Sequence, residues 1–342
     1  MTDRYSRQVR FRPIGQKGQD LLADCRIVII GAGALGTANA EQLVRGGVGH
    51  VTLIDRDHVE WSNLQRQQLY TEQDVQDHLP KAVAAKRRLG KVNSVVSVTA
   101  IVEDVTPENI ERLVRGSDLM IDATDNFGVR MLINDVAAKS GIPWIFGACV
   151  GSYGMTYTIR PGQTPCLHCL LEHLPKQQET CETSGVISPV VQLVAAHQVT
   201  EALKYLTGAD NALRQTLLSF DVWDNQQSQI NVGSLRQSAC LSCGEDPVYP
   251  YLNAPTVQFV TLCGRDTVQI RGEGPRDLVR LEQELTTRGI SCLRNPYLLM
   301  FKADHYRITA FADGRILLHG EANLQQAKQV YENYFTGIFT KK

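Results

Sequence analysis

Apolar and polar positions divide the chain into stretches of different rhythm. From residue 26 to about residue 150, short β-branched runs alternate with longer segments of helical period. The strongest run, Arg26-Ile27-Val28-Ile29-Ile30, is apolar without alternation, as a parallel strand buried on both faces requires. A helical segment from Ala38 to Arg45 follows it. Val51 to Asp55 and Val96 to Val102 read as the second and third strands, and the helix between them opens at Pro80-Lys81, where proline suits a first turn. Pro107 to Val114 reads as a helix, Asp118 to Asn126 as a strand ending in carboxylates, Val129 to Ser140 as a helix and Trp144 to Cys149 as a strand. Strand and helix in turn predict an α/β, doubly wound, Rossmann-like sheet that is mostly parallel.

Beyond Gly151 the rhythm changes. Met155 to Arg160, Leu217 to Trp223 and Gln229 to Val232 predict antiparallel strands extending that sheet, with an apolar helix from Pro189 to Leu206 among them. After Pro247 it resets. Val257 to Thr261 and Thr267 to Ile270 read as a hairpin and Asp277 to Arg288 as an amphipathic helix. Tyr297 to Lys302, Tyr306 to Phe311 and Ile316 to His319 read as strands, with the turn Asp313-Gly314 between the last two and a closing helix from Leu324 to Tyr334. Two units are expected: residues 1–247, which carry the chemistry, and a small C-terminal α+β domain, residues 248–342, of no assigned role.

Charge narrows the partners. The 342 residues include 35 basic and 36 acidic ones, a net charge of -1 mixed along the chain, which argues against a nucleic-acid surface. No apolar run reaches membrane-spanning length, and Met1-Thr2-Asp3-Arg4-Tyr5 lacks the apolar stretch of a signal peptide, so no membrane contact and a cytoplasmic location are expected. Nine cysteines then suggest metal ligands and free thiols before disulfides.

The candidate chemistry begins where the first strand runs into Gly31-Ala32-Gly33-Ala34-Leu35-Gly36. This is a glycine turn that lets backbone approach a phosphate at a helix N-terminus. Asp55, at the end of the second strand, stands where a ribose hydroxyl is held. These features alone fit a nicotinamide-dependent oxidoreductase as well as an ATP enzyme. The polar stretch from Arg56 to Gln67 falls at the ligand crevice of such a sheet and makes Asp57, Asn63 and Arg66 candidates, with Lys81 close to the phosphates. Asp122 reads as a strand-end cap. Asp125 is the better magnesium ligand, because Mg²⁺ in phosphate sites takes one or two carboxylates. Cys166-Leu167-His168-Cys169 and Cys240-Leu241-Ser242-Cys243 form two C-x-x-C pairs that predict one closed, structural zinc site, with a redox dithiol as the competing reading. Cys181 lies in a polar, glycine-containing stretch and is expected to be an accessible thiol, whereas Cys25 and Cys149 adjoin apolar strands and are expected in the core. Cys263 and Cys292 have no partner at metal-ligand spacing and are expected to be structural. The cation-rich segment Tyr5 to Phe11 reads, on spacing alone, as a solvated helix over the sheet edge.

In this order, Arg7 within Tyr-Ser-Arg-Gln, Gly31 to Gly36, Asp55-Arg56-Asp57, Ser62 to Gln67, Pro80-Lys81, Asp122 to Asn126 and both cysteine pairs resemble the ThiF/MoeB/HesA family. These are bacterial relatives of ubiquitin-activating enzymes that adenylylate a sulfur-carrier protein. The resemblance covers roughly residues 3–246, and within the family the chain looks most like the thiamine-pathway ThiF branch. It implies that the C-terminal glycine carboxylate of a ubiquitin-like carrier ending in Gly-Gly attacks the α-phosphate of ATP, releasing pyrophosphate, for sulfur incorporation into the thiamine thiazole. The same chemistry on a molybdopterin-pathway carrier is the alternative. Carried over by position, Gly31, Gly33, Gly36, Asp55 and Asp57 would line the nucleotide, with Asp55 on the ribose. Arg66 and Lys81 would hold the phosphates, Asn63 would order the triphosphate, and Asp125 would hold Mg²⁺. Arg7 would reach the triphosphate of a neighbouring subunit, which implies a homodimer. Cys181 matches a crossover-loop thiol that links covalently to the carrier in some relatives and is dispensable in others, and a sulfur-donor protein is a further implied partner. Two departures stand out: the segment between Arg66 and Lys81 is slightly longer than in close relatives, and it lacks the glycine often seen before Pro-Lys. The oxidoreductase reading leaves Asn63, Arg66, Lys81, Asp125 and the paired cysteines unexplained. A zinc-stapled scaffold would bind nucleotide without releasing pyrophosphate.

Overall fold

The run Arg26–Ile30 forms β1, a central strand whose residues alternate between two cores: Ile27 and Ile29 face one, Val28 and Ile30 the other. Its lack of apolar alternation follows from that double burial. The computed structural model describes residues 3–171, 184–255, 259–262, 267–272, 274–303, 305–320 and 323–335, which divide into two units, Met1–Ala254 and Pro255–Lys342.

The strands described in the first unit are β1, β2 (His50–Ile54), β3 (Ser97–Ile101), β4 (Leu119–Asp122), β5 (Trp144–Val150), β6 (Tyr153–Ile159), β7 (Thr216–Asp221) and β8 (Gln226–Asn231). They form one sheet in the order β3-β2-β1-β4-β5-β6-β7-β8. The first five are parallel, and β6, β7 and β8 continue the sheet antiparallel. The doubly wound, mostly parallel sheet with an antiparallel extension is therefore as expected from the sequence.

The helices described here are α1 (Ser6–Val9), α2 (Gly15–Asp24), α3 (Ala34–Gly46), α4 (Glu72–Gln76), α5 (Lys81–Val92), α6 (Ile110–Val114), α7 (Phe127–Ser140), α8 (Leu167–Leu170) and α9 (Ser188–Leu206). Leu22 of α2, Leu43 of α3, Leu89 of α5 and Val194 of α9 pack on one face of the sheet, and Ile110 of α6, Ile133 of α7 and Leu167 of α8 on the other. Their ends are set by local chemistry. Asn126 caps α7 by accepting the Val129 N–H at 3.0 Å, and Gly141 ends it at φ 70°. Among the described residues no helix is long and apolar enough to cross a membrane.

Two differences from the sequence expectation have clear causes. α2 was not foreseen, because Gly15 and Gly18 weaken its helical pattern. It is held by fully buried Leu22 and by Gln19, whose amide donates to the Gly46 carbonyl at 3.0 Å. The longer segment before Lys81 folds as α4, started by a capping box between Thr71 and Asp74. Near Pro80, His78 takes the left-handed conformation, φ 48°, a conformation that glycine adopts without steric cost.

The second unit is an antiparallel sheet in the order β11-β12-β13-β14-β10-β9. Its strands are β9 (Phe259–Leu262), β10 (Thr267–Ile270), β11 (Cys292–Arg294), β12 (Leu298–Ala303), β13 (Tyr306–Phe311) and β14 (Ile316–His319). α10 (Leu278–Thr287) and α11 (Leu324–Phe335) pack Leu281, Leu285, Val330 and Phe335 against Val268, Phe301 and Ile308. β11, not anticipated, is three residues long with two exposed, too little for a pattern. Cys292 within it is half-buried, and Cys263 lies outside the described residues.

Candidate functional site

The carboxyl ends of β1, β2, β3 and β4 open on one side of the sheet, and the polar residues gather there. After β1 the chain turns at Gly31, φ 97°, where a Cβ would lie 2.5 Å from the Ala123 carbonyl oxygen. Gly36 presses on the same turn: its Cβ would lie 1.9 Å from the Gly31 carbonyl oxygen. Gly33 differs, since the nearest atom to its added Cβ is the Gln67 amide nitrogen at 3.8 Å. Two of the glycines thus close the turn, and the third leaves its surface open at the N-terminus of α3. Tyr70, buried, donates its hydroxyl to the Ala32 carbonyl at 2.5 Å, and the Ala32 N–H donates to Asp55 Oδ2 at 2.7 Å. Asp55 Oδ1 accepts the Asp57 N–H at 2.7 Å. One carboxylate therefore ties the glycine turn to the segment after β2. Burial pushes the Asp55 carboxyl up from its ordinary value, against the pull of Lys81 and of the two amide donors.

Lys81 begins α5 and is buried, a cation at the positive end of a helix dipole. Asp57 compensates it: Nζ donates to Oδ2 at 3.3 Å, and the Lys81 N–H donates to the Asp57 carbonyl at 2.8 Å. Asn63 is buried in the short turn Trp61–Asn63, where its Oδ1 accepts the Glu60 N–H at 3.0 Å. Arg66 follows on the same turn, half-buried, donating Nη1 to the Ser62 carbonyl at 2.8 Å.

At the end of β4, Asp122 is fully buried. It pairs with Arg130 Nε at 2.7 Å and accepts from the Thr124 hydroxyl at 2.7 Å and N–H at 3.0 Å, the structural part its sequence suggested. Asp125 is exposed, and its carboxylate accepts no hydrogen bond from the described residues. Arg7 stands apart. Its helix α1 docks by the Gln8 amide on the Gly46 carbonyl at 2.8 Å, and Arg4 reaches the Val92 carbonyl at 2.8 Å. These are the C-terminal ends of α3 and α5, whereas the glycine turn and Lys81 lie at their N-termini. The two ends of α3 are about 20 Å apart at 1.5 Å per residue.

The four cysteines come together. Sγ atoms of Cys166 and Cys240 lie 3.6 Å apart, those of Cys169 and Cys243 3.6 Å, those of Cys166 and Cys169 3.9 Å, and all four within 4.8 Å. A tetrahedral zinc with bonds of about 2.3 Å sets sulfurs about 3.8 Å apart. Hydrogen bonding among the thiols pushes Cys166 up and Cys169 down from their ordinary values. The cluster fits a metal. Its support comes from two buried residues of α7 that the sequence did not single out. Asn134 accepts the Leu167 N–H at 2.7 Å. Asp135 accepts from the Ser242 hydroxyl at 2.5 Å and from the Tyr251 and Leu252 N–H groups at 2.7 and 3.3 Å. Polar side chains inside a helical period carry no sign of burial, so only the fold reveals them.

Arg56 and Asp104 were missed as well. Arg56 Nη1 bonds Asp104 Oδ1 at 2.8 Å, and its Nε lies 3.8 Å from Asp57 Oδ1. Burial works against the Arg56 charge, but Asp104 and Asp57 hold its pKa above the ordinary value. Cys25 and Cys149 are half-buried rather than deep, packed at the rim of the core. Cys181 lies outside the described residues.

Comparison with known proteins gives a consistent answer. The ThiF family model matches residues 5–242. The sulfur carrier protein ThiS adenylyltransferase of Bacillus subtilis is 52% identical over 98% of this chain and 99% of its own. The molybdopterin-synthase adenylyltransferase of Escherichia coli is 31% identical over 71% of this chain and 96% of its own. Among solved structures, Escherichia coli MccB with ATP superposes with a TM-score of 0.62 at 25% identity, covering 71% of this chain and 75% of that one.

Proposed function

This chain belongs to the ThiF family, and on that premise we propose that it adenylylates the C-terminal glycine carboxylate of a ubiquitin-like sulfur carrier at the expense of ATP, releasing pyrophosphate. One observation carries the reading: the open glycine turn, Asp55 and the Lys81–Asp57 pair lie together at the strand ends of a chain 52% identical to a ThiS adenylyltransferase along almost its whole length. The choice of a thiamine-pathway carrier over a molybdopterin-pathway one follows from coverage. The likeness to the first relative spans 98% of the chain, and so reaches well into the second unit, whereas the likeness to the second spans 71%.

The chemistry asks for little beyond positioning. The carrier carboxylate is ionised at neutral pH, so no general base is required. Its oxygen forms a bond to the α-phosphorus as the bond from that phosphorus to the bridging oxygen breaks, and pyrophosphate leaves with the electron pair. The chain must bring two anions together and neutralise the charge that develops. The N-termini of α3 and α5, Lys81 and Arg66 supply positive potential in one cleft, Asp55 holds the ribose, and Asn63 stiffens the turn that presents Arg66. Gly31, Gly33 and Gly36 shape the backbone on which the phosphates rest. A magnesium ion bound by Asp125 and phosphate oxygens would neutralise the triphosphate, and the free carboxylate of Asp125 suits that part. Zinc held by Cys166, Cys169, Cys240 and Cys243 would be structural, since four thiolates leave no open position.

Arg7 supports a homodimer. It is anchored at the wrong end of α3 to meet its own cleft, so a part in phosphate binding falls to the cleft of a partner subunit. The enzyme is taken to act in the cytoplasm, where a sulfur-donor protein completes its set of partners.

The test is ATP–pyrophosphate exchange with purified protein and either a thiamine-pathway or a molybdopterin-pathway carrier. Exchange with the first alone is expected. Exchange with the second alone would reassign the carrier, and exchange with neither would reject the reading.

A further inference from the structure

Four charged residues run in a line across the strand ends: Asp104 after β3, Arg56 and Asp57 after β2, and Lys81 at the start of α5. Asp104 and Lys81 are buried, and Arg56 and Asp57 are mostly covered. The contacts are unequal. Arg56 to Asp104 is a close bond at 2.8 Å, whereas Arg56 Nε to Asp57 Oδ1 is 3.8 Å and Lys81 Nζ to Asp57 Oδ2 is 3.3 Å. Asp104 is itself fixed, because its carbonyl accepts the Asn109 amide at 2.8 Å and Asn109 also caps the turn at the Thr106 N–H, 2.9 Å. The line is thus anchored at the Asp104 end and loose at the Lys81 end.

We propose that Arg56, anchored by Asp104, is a positioning residue: it shares the Asp57 carboxylate with Lys81 and so leaves the Lys81 ammonium placed, but incompletely neutralised, for the triphosphate. This deepens the adenylylation reading and rests on it. The physical argument is charge balance in a covered site. With Arg56 present, each of the two cations takes part of the Asp57 carboxylate, in a cluster where Asp104 also faces Arg56 and Asp55 also faces Lys81. Without it, Lys81 no longer shares the Asp57 carboxylate with a second cation and Asp104 loses its 2.8 Å ion pair, so an incoming triphosphate meets one more net negative charge where the dielectric is low. Arg56 need not touch nucleotide for this to hold.

The experiment measures ATP–pyrophosphate exchange, and ATP affinity by calorimetry, for Arg56→Gln, Asp104→Asn, the double variant and Arg56→Lys. Melting temperature confirms that each variant is folded. Arg56→Gln should raise the KM for ATP, and the ATP Kd with it, by about tenfold, the size of one charge-assisted contact, while kcat changes less. Because Asp104 acts through Arg56, the double variant should be no worse than Arg56→Gln alone, a clear departure from additivity. Arg56→Lys keeps the charge and should recover part of the loss; it also serves if the glutamine variant does not fold. An unchanged ATP KM in Arg56→Gln, or additive effects of the two single substitutions, overturns the proposal. Wild-type exchange distinguishes the two levels: its absence rejects the adenylylation reading, whereas its presence beside an unaffected Arg56→Gln rejects only the positioning part.

Discussion

Gly36 and Gly90 both lie inside helices, and the same substitution to alanine should move stability in opposite directions. In a helix interior alanine is favoured over glycine by roughly 0.5–1 kcal/mol. At Gly90, in α5, an added Cβ meets nothing within 4 Å, so Gly90→Ala should stabilise by about that amount and raise the melting temperature by about 2 °C. At Gly36, in α3, the Cβ would lie 1.9 Å from the Gly31 carbonyl oxygen and 2.8 Å from its carbon, both backbone atoms of the glycine turn. The turn has to open by about 1 Å, an overpacking that costs about 1–3 kcal/mol or more and outweighs the helical gain. Gly36→Ala should therefore lower the melting temperature by about 2–6 °C. The same shift moves Gly31 and Ala32, and with them the anchor of Asp55, so ATP affinity should fall at least about tenfold while Gly90→Ala leaves it unchanged. Differential scanning calorimetry and ATP titration read both effects. A Gly36→Ala protein as stable as wild type, binding ATP with unaltered affinity, would refute the closed-turn geometry.

Arg66→Ala and Lys81→Ala should each abolish pyrophosphate exchange in a folded protein; exchange at wild-type rate in both would remove them from the site. Replacing Cys166 or Cys243 by serine should lower zinc content and melting temperature together, and Asp135→Ala should cost about 2–4 kcal/mol in urea unfolding by stranding the Tyr251 and Leu252 N–H groups. A stable, zinc-free cysteine variant would contradict the structural role of the metal. Burial lowers the His58 pKa below its ordinary value, with Asp57 and Glu60 opposing. The unfolded chain therefore binds a proton there first as pH falls, so stability should drop from pH 7 downward through the folded-state pKa. His58→Asn should flatten that slope in urea titrations at several pH values, and an unchanged slope would show that His58 does not contribute to it.

The central strands were legible because double burial leaves an unbroken apolar run, and β1, β2 and β4 fell within a residue or a few of expectation. The four-cysteine cluster was legible because each half is local: C-x-x-C brings two sulfurs together by spacing, and the fold had only to pair the halves. The pairing of Arg56 with Asp104 was not, because they meet across 48 residues and Asp104 looks like an ordinary surface charge in sequence. Gln198 is a further example. Its buried amide donates to the Asp122 and Ile145 carbonyls at 2.8 and 3.1 Å and accepts from Asn39 at 2.8 Å, tying α9 to the strand ends and to α3, yet nothing in an apolar helix marks it. α3 begins earlier than expected because Gly33 serves as its N-cap, so the glycine turn and the helix are one element.

The most direct test of the central claim is the intact mass of a Gly-Gly-terminated thiamine-pathway carrier after incubation with this protein, ATP and Mg²⁺. The account predicts a carrier heavier by one adenylyl group, absent when the terminal glycine is deleted and absent with Lys81→Ala. An unmodified carrier under conditions where the protein binds ATP would contradict it.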